Sequence, residues 1–204
     1  MGQRLPAADR RVTIVDAALE VFGRRSYDDV SLDEVAARAG VTKPILYRHF
    51  ASKEELYVKL LDEQAEAMEQ KGWSAAGNGA PTAVQVVGLI VDSLFEHLEQ
   101  TPFALRTLEF EPAPSPTIAS AQQRVSAFVG REALSVLLAL RPDLRTRDPE
   151  QRAALQPYCA MISGAQARAA RWWLDTGGGD RDAIVKSVVG FLVAAVAAIE
   201  APAP

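Results

Sequence analysis

The sequence predicts an all-α protein with a small N-terminal helical domain and a larger helical domain behind it. Three observations carry this. Apolar residues recur three and four apart along most of the chain, and strand-like alternation persists nowhere. Capping residues punctuate the pattern: Ser31 stands three before Glu34 and Ser52 three before Glu55, the spacing of a capping box. A Gly-, Ala- and Ser-rich stretch with a proline, "KGWSAAGNGAPT" at residues 71–82, separates the first helices from the rest. The expected domains are 1–52 and 53–204, connected by a helix over 52–70.

The elements follow in order. "DRRVTIVDAALEVFGRRSY" places Ile14, Ala18 and Phe22 on one stripe, widened by Val15 and Leu19. Gly23, Arg24 and Arg25 suit its C-terminal end. "SLDEVAARAG" opens on the first capping box and closes on Gly40. "VTKPILYRHF" comes next, with Thr42 as N-cap and Pro44 in the first turn, where a missing N–H costs little. The second capping box starts a helix carrying Leu56, Leu60 and Leu61. Beyond the linker, further helices are expected over 82–100, 103–110, 116–140, 150–175 and 180–199. Their separators are "TP", "EPAPSP", "RPDLRTRDP" and "TGGGD".

Composition narrows the function classes. Of 204 residues 49% are hydrophobic, enough for a substantial core, and 24% are charged. The net charge is −4, so a polyanion partner would have to meet a local patch. Residues 1–60 hold ten basic and nine acidic side chains, and residues 61–204 hold twelve and seventeen. Cys159 is the single cysteine, which rules out an intrachain disulfide and, with no basic neighbour in sequence, reads as a small buried hydrophobe. Two histidines, one cysteine and no Gly-rich phosphate loop leave no triad, zinc site or nucleotide cradle, so neither an enzyme nor a cofactor is expected. The N-terminus lacks the apolar core of a signal peptide. The longest uncharged apolar run, Val188 to Ile199, is short of the roughly 20 residues that span a bilayer. A soluble, cytoplasmic protein is expected.

Residues 31–50 form two short helices joined around Gly40, the helix-turn-helix plan. Ala36 sits where the two must cross closely, and Gly40 can take the positive φ of a tight turn. Val35, Ala39, Val41, Leu46 and Phe50 can supply the shared core. Thr42, Lys43, Tyr47, Arg48 and His49 are then left toward solvent on a segment without a single acid, which points to a polyanion.

"SLDEVAARAGVTKPILYRHFASKEELY", with the preceding "IVDAALEVFGRRSY", resembles the DNA-binding region of the TetR family of bacterial transcription regulators. The resemblance covers about residues 10–60. It implies that the recognition helix enters the major groove of double-stranded DNA. Thr42, Lys43 and Tyr47 match positions that meet phosphates or base edges. Ser31, His49 and Lys53 match phosphate contacts, and Arg48 lies on the same exposed flank. Ile45 departs from the small hydroxyl residue common there. Arg4, Arg10 and Arg11 could reach the DNA backbone as an arm.

The resemblance further implies a C-terminal domain that pairs two subunits and senses a small molecule. The last two long segments are rich in small residues. Ala160, Gly164 and Ala167 fall near one face of the first, and Gly190, Ala194 and Ala197 near one face of the second. Such faces let helices approach closely, as in a bundle shared by two subunits. Phe95, His97, Phe103, Arg106, Phe110, Phe128, Tyr158, Met161 and Trp172 are candidate walls of a ligand pocket, although each taken singly reads more readily as ordinary core or surface. The expected function is a homodimeric repressor, released from an inverted-repeat operator by a largely apolar ligand. The alternatives are a ligand-independent DNA binder and an activator.

Overall fold

The computed structural model describes residues 7–71, 82–108, 112–145 and 148–199. Phe110, Arg4 and residues 72–81 of the expected linker lie outside them. Among the described residues the chain forms ten α-helices and no strand. These are α1 (Ala7–Arg24), α2 (Leu32–Arg38), α3 (Lys43–His49), α4 (Lys53–Lys71), α5 (Ala83–Gln100), α6 (Pro102–Leu108), α7 (Pro116–Leu140), α8 (Pro149–Ala153), α9 (Gln156–Asp175) and α10 (Arg181–Ala197). A 3-10 turn, Pro142–Leu144, lies between α7 and α8.

One expected helix is two. The segment read as 150–175 breaks after Ala153, and α9 restarts at Gln156. Pro157 explains the break. It has no N–H to continue the ladder, and its ring would collide with the carbonyl one turn back, so it sits in the first turn of a new helix.

The helices gather into two compact units that divide within α4 and α7: Met1–Ala67 with Thr101–Val125, and Met68–Gln100 with Ser126–Pro204. In the first unit Ile14, Phe22, Val35, Leu46, Phe50, Leu56 and Leu60 are all buried in one cluster. An aromatic chain runs through it: Tyr57 meets Phe22 and Tyr27 edge-on, each at 5.0 Å, and Phe103 at 5.5 Å. Phe103 therefore belongs to the core of the N-terminal unit, not to the wall of a C-terminal pocket as expected. Arg106, on the same helix, also falls in this unit. Gly23 explains how α6 comes so near. A Cβ there would lie 3.0 Å from the backbone N of Phe103, so a larger residue would push α6 off the end of α1.

The second unit packs α5, α9 and α10 together. Val87, Val91 and Phe95 of α5 are buried, as are Ile162, Ala170 and Trp173 of α9 and Val185, Val188 and Leu192 of α10. Each large apolar side chain so buried contributes about 1.5–3 kcal/mol relative to exposure. Arg141 closes this unit at one end. Its guanidinium donates to the carbonyls of Val196 and Ile199, satisfying the last turn of α10, while Asp143 pairs with it at 2.7 Å. Cys159 is buried and its thiol is pushed up by desolvation, which makes it a poor thiolate.

Candidate nucleic-acid interface

The helix-turn-helix is built by local chemistry. Ser31 caps α2: its hydroxyl accepts from Glu34 N at 3.3 Å, and its own N–H donates to the Glu34 carboxylate at 3.2 Å. Arg25 braces that carboxylate and holds its pKa below the usual range. α2 ends at Ala39, and Gly40 takes φ of +65°, the left-handed conformation the turn requires. Val41 N then donates to Ala36 O at 3.0 Å, closing α3 onto α2 at the small residue expected at the crossing. α3 begins after Thr42, whose side chain makes no capping bond, so its hydroxyl stays available. The second capping box has a variation. Ser52 accepts from Glu55 N, but the Glu55 carboxylate reaches back to Ala51 N instead of Ser52 N.

The exposed face of α3 carries Thr42, Lys43, Tyr47 and Arg48, with Leu46 buried behind them and His49 half-buried. Tyr47 keeps 45% of its surface exposed, the one large hydrophobic side chain of α3 to do so. Ser31, Lys43, Tyr47 and Lys53 line one open cleft of about 440 Å³, together with Asp33 and Ser52. Thr42, Arg48 and His49 lie outside it. Lys43 pairs with Asp33 at 2.8 Å, and this neighbour holds its ammonium pKa above the ordinary value. Lys53 points inward, its ammonium 2.9 Å from Tyr27 O and 3.0 Å from Val30 O. Arg11 is also engaged: it donates to His49 O at 3.2 Å and stacks 4.5 Å over the Phe50 ring, capping the C-terminal end of α3. Neither inward role was visible in the sequence, because both depend on residues 23 to 39 positions away.

In the second unit the small-residue faces lie open. Ala160 and Gly164 on α9 and Gly190, Ala194 and Ala197 on α10 are exposed, and Ala167 is half-buried. Met161, Trp172 and Phe191 each keep 60% of their surface. Tyr158, Met161, Gly164 and Phe191 line a groove of about 690 Å³ between α9 and α10. Tyr158 and Met161, expected in a ligand pocket, thus share a groove with a residue of the expected pairing face. Trp172 points outward, and Trp173 is the buried member of the pair, 5.7 Å from Phe95. The buried stripe of α9 runs Ile162, Gln166, Ala170, Trp173, and position 172 is off that stripe. His97 and Gln166 are buried polar groups of this unit, and Phe128 lies buried beneath Arg131. Gln166 escaped the sequence reading, although a glutamine in phase with an apolar stripe was the available signal.

These features define a helix-turn-helix protein with a second helical unit. Residues 14–60 match the sequence model for bacterial regulatory proteins of the TetR family. The transcriptional activator FasR of Mycolicibacterium smegmatis is 32% identical over 193 residues, 93% of this chain and 84% of FasR. The transcriptional repressor KstR of the same organism is 34% identical over 94 residues, 46% of each chain. The crystal structure of the regulator FadR from Bacillus subtilis in complex with stearoyl-CoA superposes with a TM-score of 0.65 at 21% identity, over 89% of this chain and 97% of that one. The chain belongs to the TetR family and is a DNA-binding transcription regulator. No described helix is long and apolar enough to cross a membrane.

Proposed function

We propose that the protein is a homodimeric repressor: α3 of each subunit docks in the major groove of an inverted-repeat operator, and a small, largely apolar ligand releases it. The observation that carries this reading is the outward face of α3. Thr42, Lys43, Tyr47 and Arg48 present hydroxyl and cationic donors on a helix with no acid of its own. Such groups bind phosphate oxygens and base edges. Ser31 borders the same cleft and His49 flanks it.

Dimerisation is supported by the open apolar face of α9 and α10. A two-fold interface pairs one patch with itself, so a self-complementary strip of Ala, Gly, Met and Phe is what it needs. Ligand sensing is supported by the interior of the second unit. Phe95 and Trp173 are packed apolar groups there, with His97 and Gln166 buried among the same helices, a mixture of apolar and polar groups that a ligand could engage if it parted them. The Nε2 group of Gln166 makes no hydrogen bond among the described residues, leaving a donor for an acceptor on a ligand. The FadR structure is a complex with stearoyl-CoA, which makes that molecule the first ligand to try. α4 contributes residues to both units, so a ligand that shifts its C-terminal half also bears on the helix that supports α3.

A second reading, activation, is favoured by FasR, a relative that matches along most of the chain and carries the name activator. Deleting the gene distinguishes the two: transcripts beside the bound site rise under repression and fall under activation. The DNA reading is tested with T42A and Y47A on a duplex recovered by in vitro selection with the wild-type protein. Both should fold and bind roughly 5- to 150-fold more weakly, since losing one good base-edge or phosphate contact is worth roughly 1–3 kcal/mol. Normal affinity in both variants contradicts it. The ligand reading is tested by titrating stearoyl-CoA. Roughly a 5- to 150-fold loss of duplex affinity is expected, and tight binding without any loss contradicts it.

A further inference from the structure

We propose that Asp33 is a specificity-determining residue: together with Lys43 it reads one guanine–cytosine pair in the major groove, with the guanine on the lysine side. The inference deepens the reading of α3 as the DNA-binding helix and rests on it. Asp33 stands in the first turn of α2, and Lys43 is the first residue of α3. The lysine ammonium lies 2.8 Å and 3.0 Å from the two carboxylate oxygens. Both side chains stay open to solvent, 63% for Asp33 and 55% for Lys43. Both line the cleft that Tyr47 also borders. Glu34, the next acid along, is taken up by Arg25 and by the Ser31 cap. Asp33 is therefore the single acid among the described residues that line this cleft.

An acid on this wall carries a general cost. It repels every phosphate alike, and it occupies lysine N–H groups that would otherwise meet them. Its favourable place in the dipole of α2 does not require it to reach α3. A base edge is where such a carboxylate gains. Ionised, it can only accept, while the ammonium beside it can only donate, and each keeps bonding capacity beyond their mutual contact. The two thus present a donor and an acceptor side by side, about one hydrogen-bond length apart. The four base-pair arrangements meet that order differently. With guanine on the lysine side, N7 and O6 both accept from Lys43, and the cytosine N4 amino group donates to Asp33. Reversed, guanine O6 faces the carboxylate and the amino group faces the ammonium, so like meets like twice. With adenine on the lysine side, its N6 amino group faces the ammonium and thymine O4 faces the carboxylate. With thymine there, O4 and N6 match, but the methyl group crowds the ammonium and adenine N7 adds an acceptor beside the carboxylate. One arrangement of the four is matched throughout.

The test takes each base pair of the selected duplex through all four arrangements and measures affinity for wild type, Asp33→Asn and Asp33→Ser. Wild type should show a position where guanine–cytosine exceeds the reversed pair by roughly tenfold or more, the worth of one good base-edge contact. Asp33→Asn removes the charge at nearly constant shape. It should bind the original duplex no more weakly than wild type, because Lys43 is freed to donate. It should bind the duplex with that one pair reversed roughly tenfold more tightly than wild type does, so the preference collapses there and persists elsewhere. Asp33→Ser should lose the same preference, and it decides the matter if Asp33→Asn does not fold. An equal gain on every duplex means that Asp33 acts only through general charge, and it overturns the proposal. Preferences that survive at every position in both variants also overturn it, while leaving the reading of α3 intact. A wild type with no base preference at any position contradicts the reading of α3 itself, and the assignment of Asp33 falls with it.

Discussion

Phe191 offers a direct route to the proposed pairing of subunits. It keeps 60% of its surface on the open face of α10, beside Gly190 and Ala194. A large aromatic buries roughly 150–250 Å² when fully covered, so about 120 Å² is left for a partner. At about 25 cal/mol per Å² that surface is worth ~3 kcal/mol, and a two-fold interface counts it twice. About 6 kcal/mol per dimer is therefore the ceiling, and half coverage still gives ~3 kcal/mol, or roughly two orders of magnitude in dimer dissociation constant. Phe191→Glu removes this term and adds a carboxylate that the interface would have to desolvate. Sedimentation equilibrium at micromolar concentration should show wild-type dimers and F191E monomers of unchanged helicity. Leu89→Glu is the control: Leu89 is 57% exposed on α5, away from the α9–α10 groove, and L89E should remain dimeric. A monomeric wild type, or equal dissociation constants for wild type and F191E, refutes the reasoning.

Asp33→Asn should free the Lys43 ammonium and remove one acid from the cleft; duplex affinity at low salt should rise roughly two- to fivefold, within the range of exposed ion pairs, and no change would remove Lys43 from the contact surface. Gly40 has open space around a would-be Cβ, so substitution there meets backbone strain alone. Gly40→Ala should cost about 1–2 kcal/mol in denaturant unfolding and Gly40→Asn distinctly less, because asparagine tolerates the left-handed region; equal costs would contradict the turn geometry. Glu34 has a lowered pKa because Arg25 and the Ser31 N–H favour its charged form, so its contribution is complete above the usual carboxylate range and is lost as pH falls through the lowered folded value. Unfolding midpoints of wild type and Glu34→Gln should converge toward that acidic limit, and a constant gap at all pH values would contradict the assignment.

The helix-turn-helix was legible because its signals are local. The Ser31–Glu34 box, Gly40 and Pro44 lie within 14 residues, and each acts through its own backbone neighbours. The stripe of Ile14, Ala18 and Phe22 likewise needed only helical period. What failed to show depends on distant partners. Lys53 and Arg11 read as contacts to the DNA backbone; their bonds to the turn at 27–30 and to the end of α3 need partners far away in sequence. Phe103 read as a pocket wall because its membership of the N-terminal unit rests on Gly23, eighty positions earlier. Trp172 and Trp173 are adjacent, so composition could not say which faced inward; only the phase of the stripe through Ile162 and Gln166 does. The helix read over 150–175 ignored Pro157, a local signal that was present and decisive.

Two copies of this chain are proposed to read DNA through α3. Footprinting on fragments selected from the native genome tests it most directly. An inverted repeat is expected, its half-site centres about one helical turn apart, roughly 34–36 Å, or somewhat more where the DNA is deformed. Protection of both half-sites should appear together and vanish together in Y47A. Protection of a single unrepeated site by a monomer, or binding that follows salt alone with no preferred sequence, would contradict it.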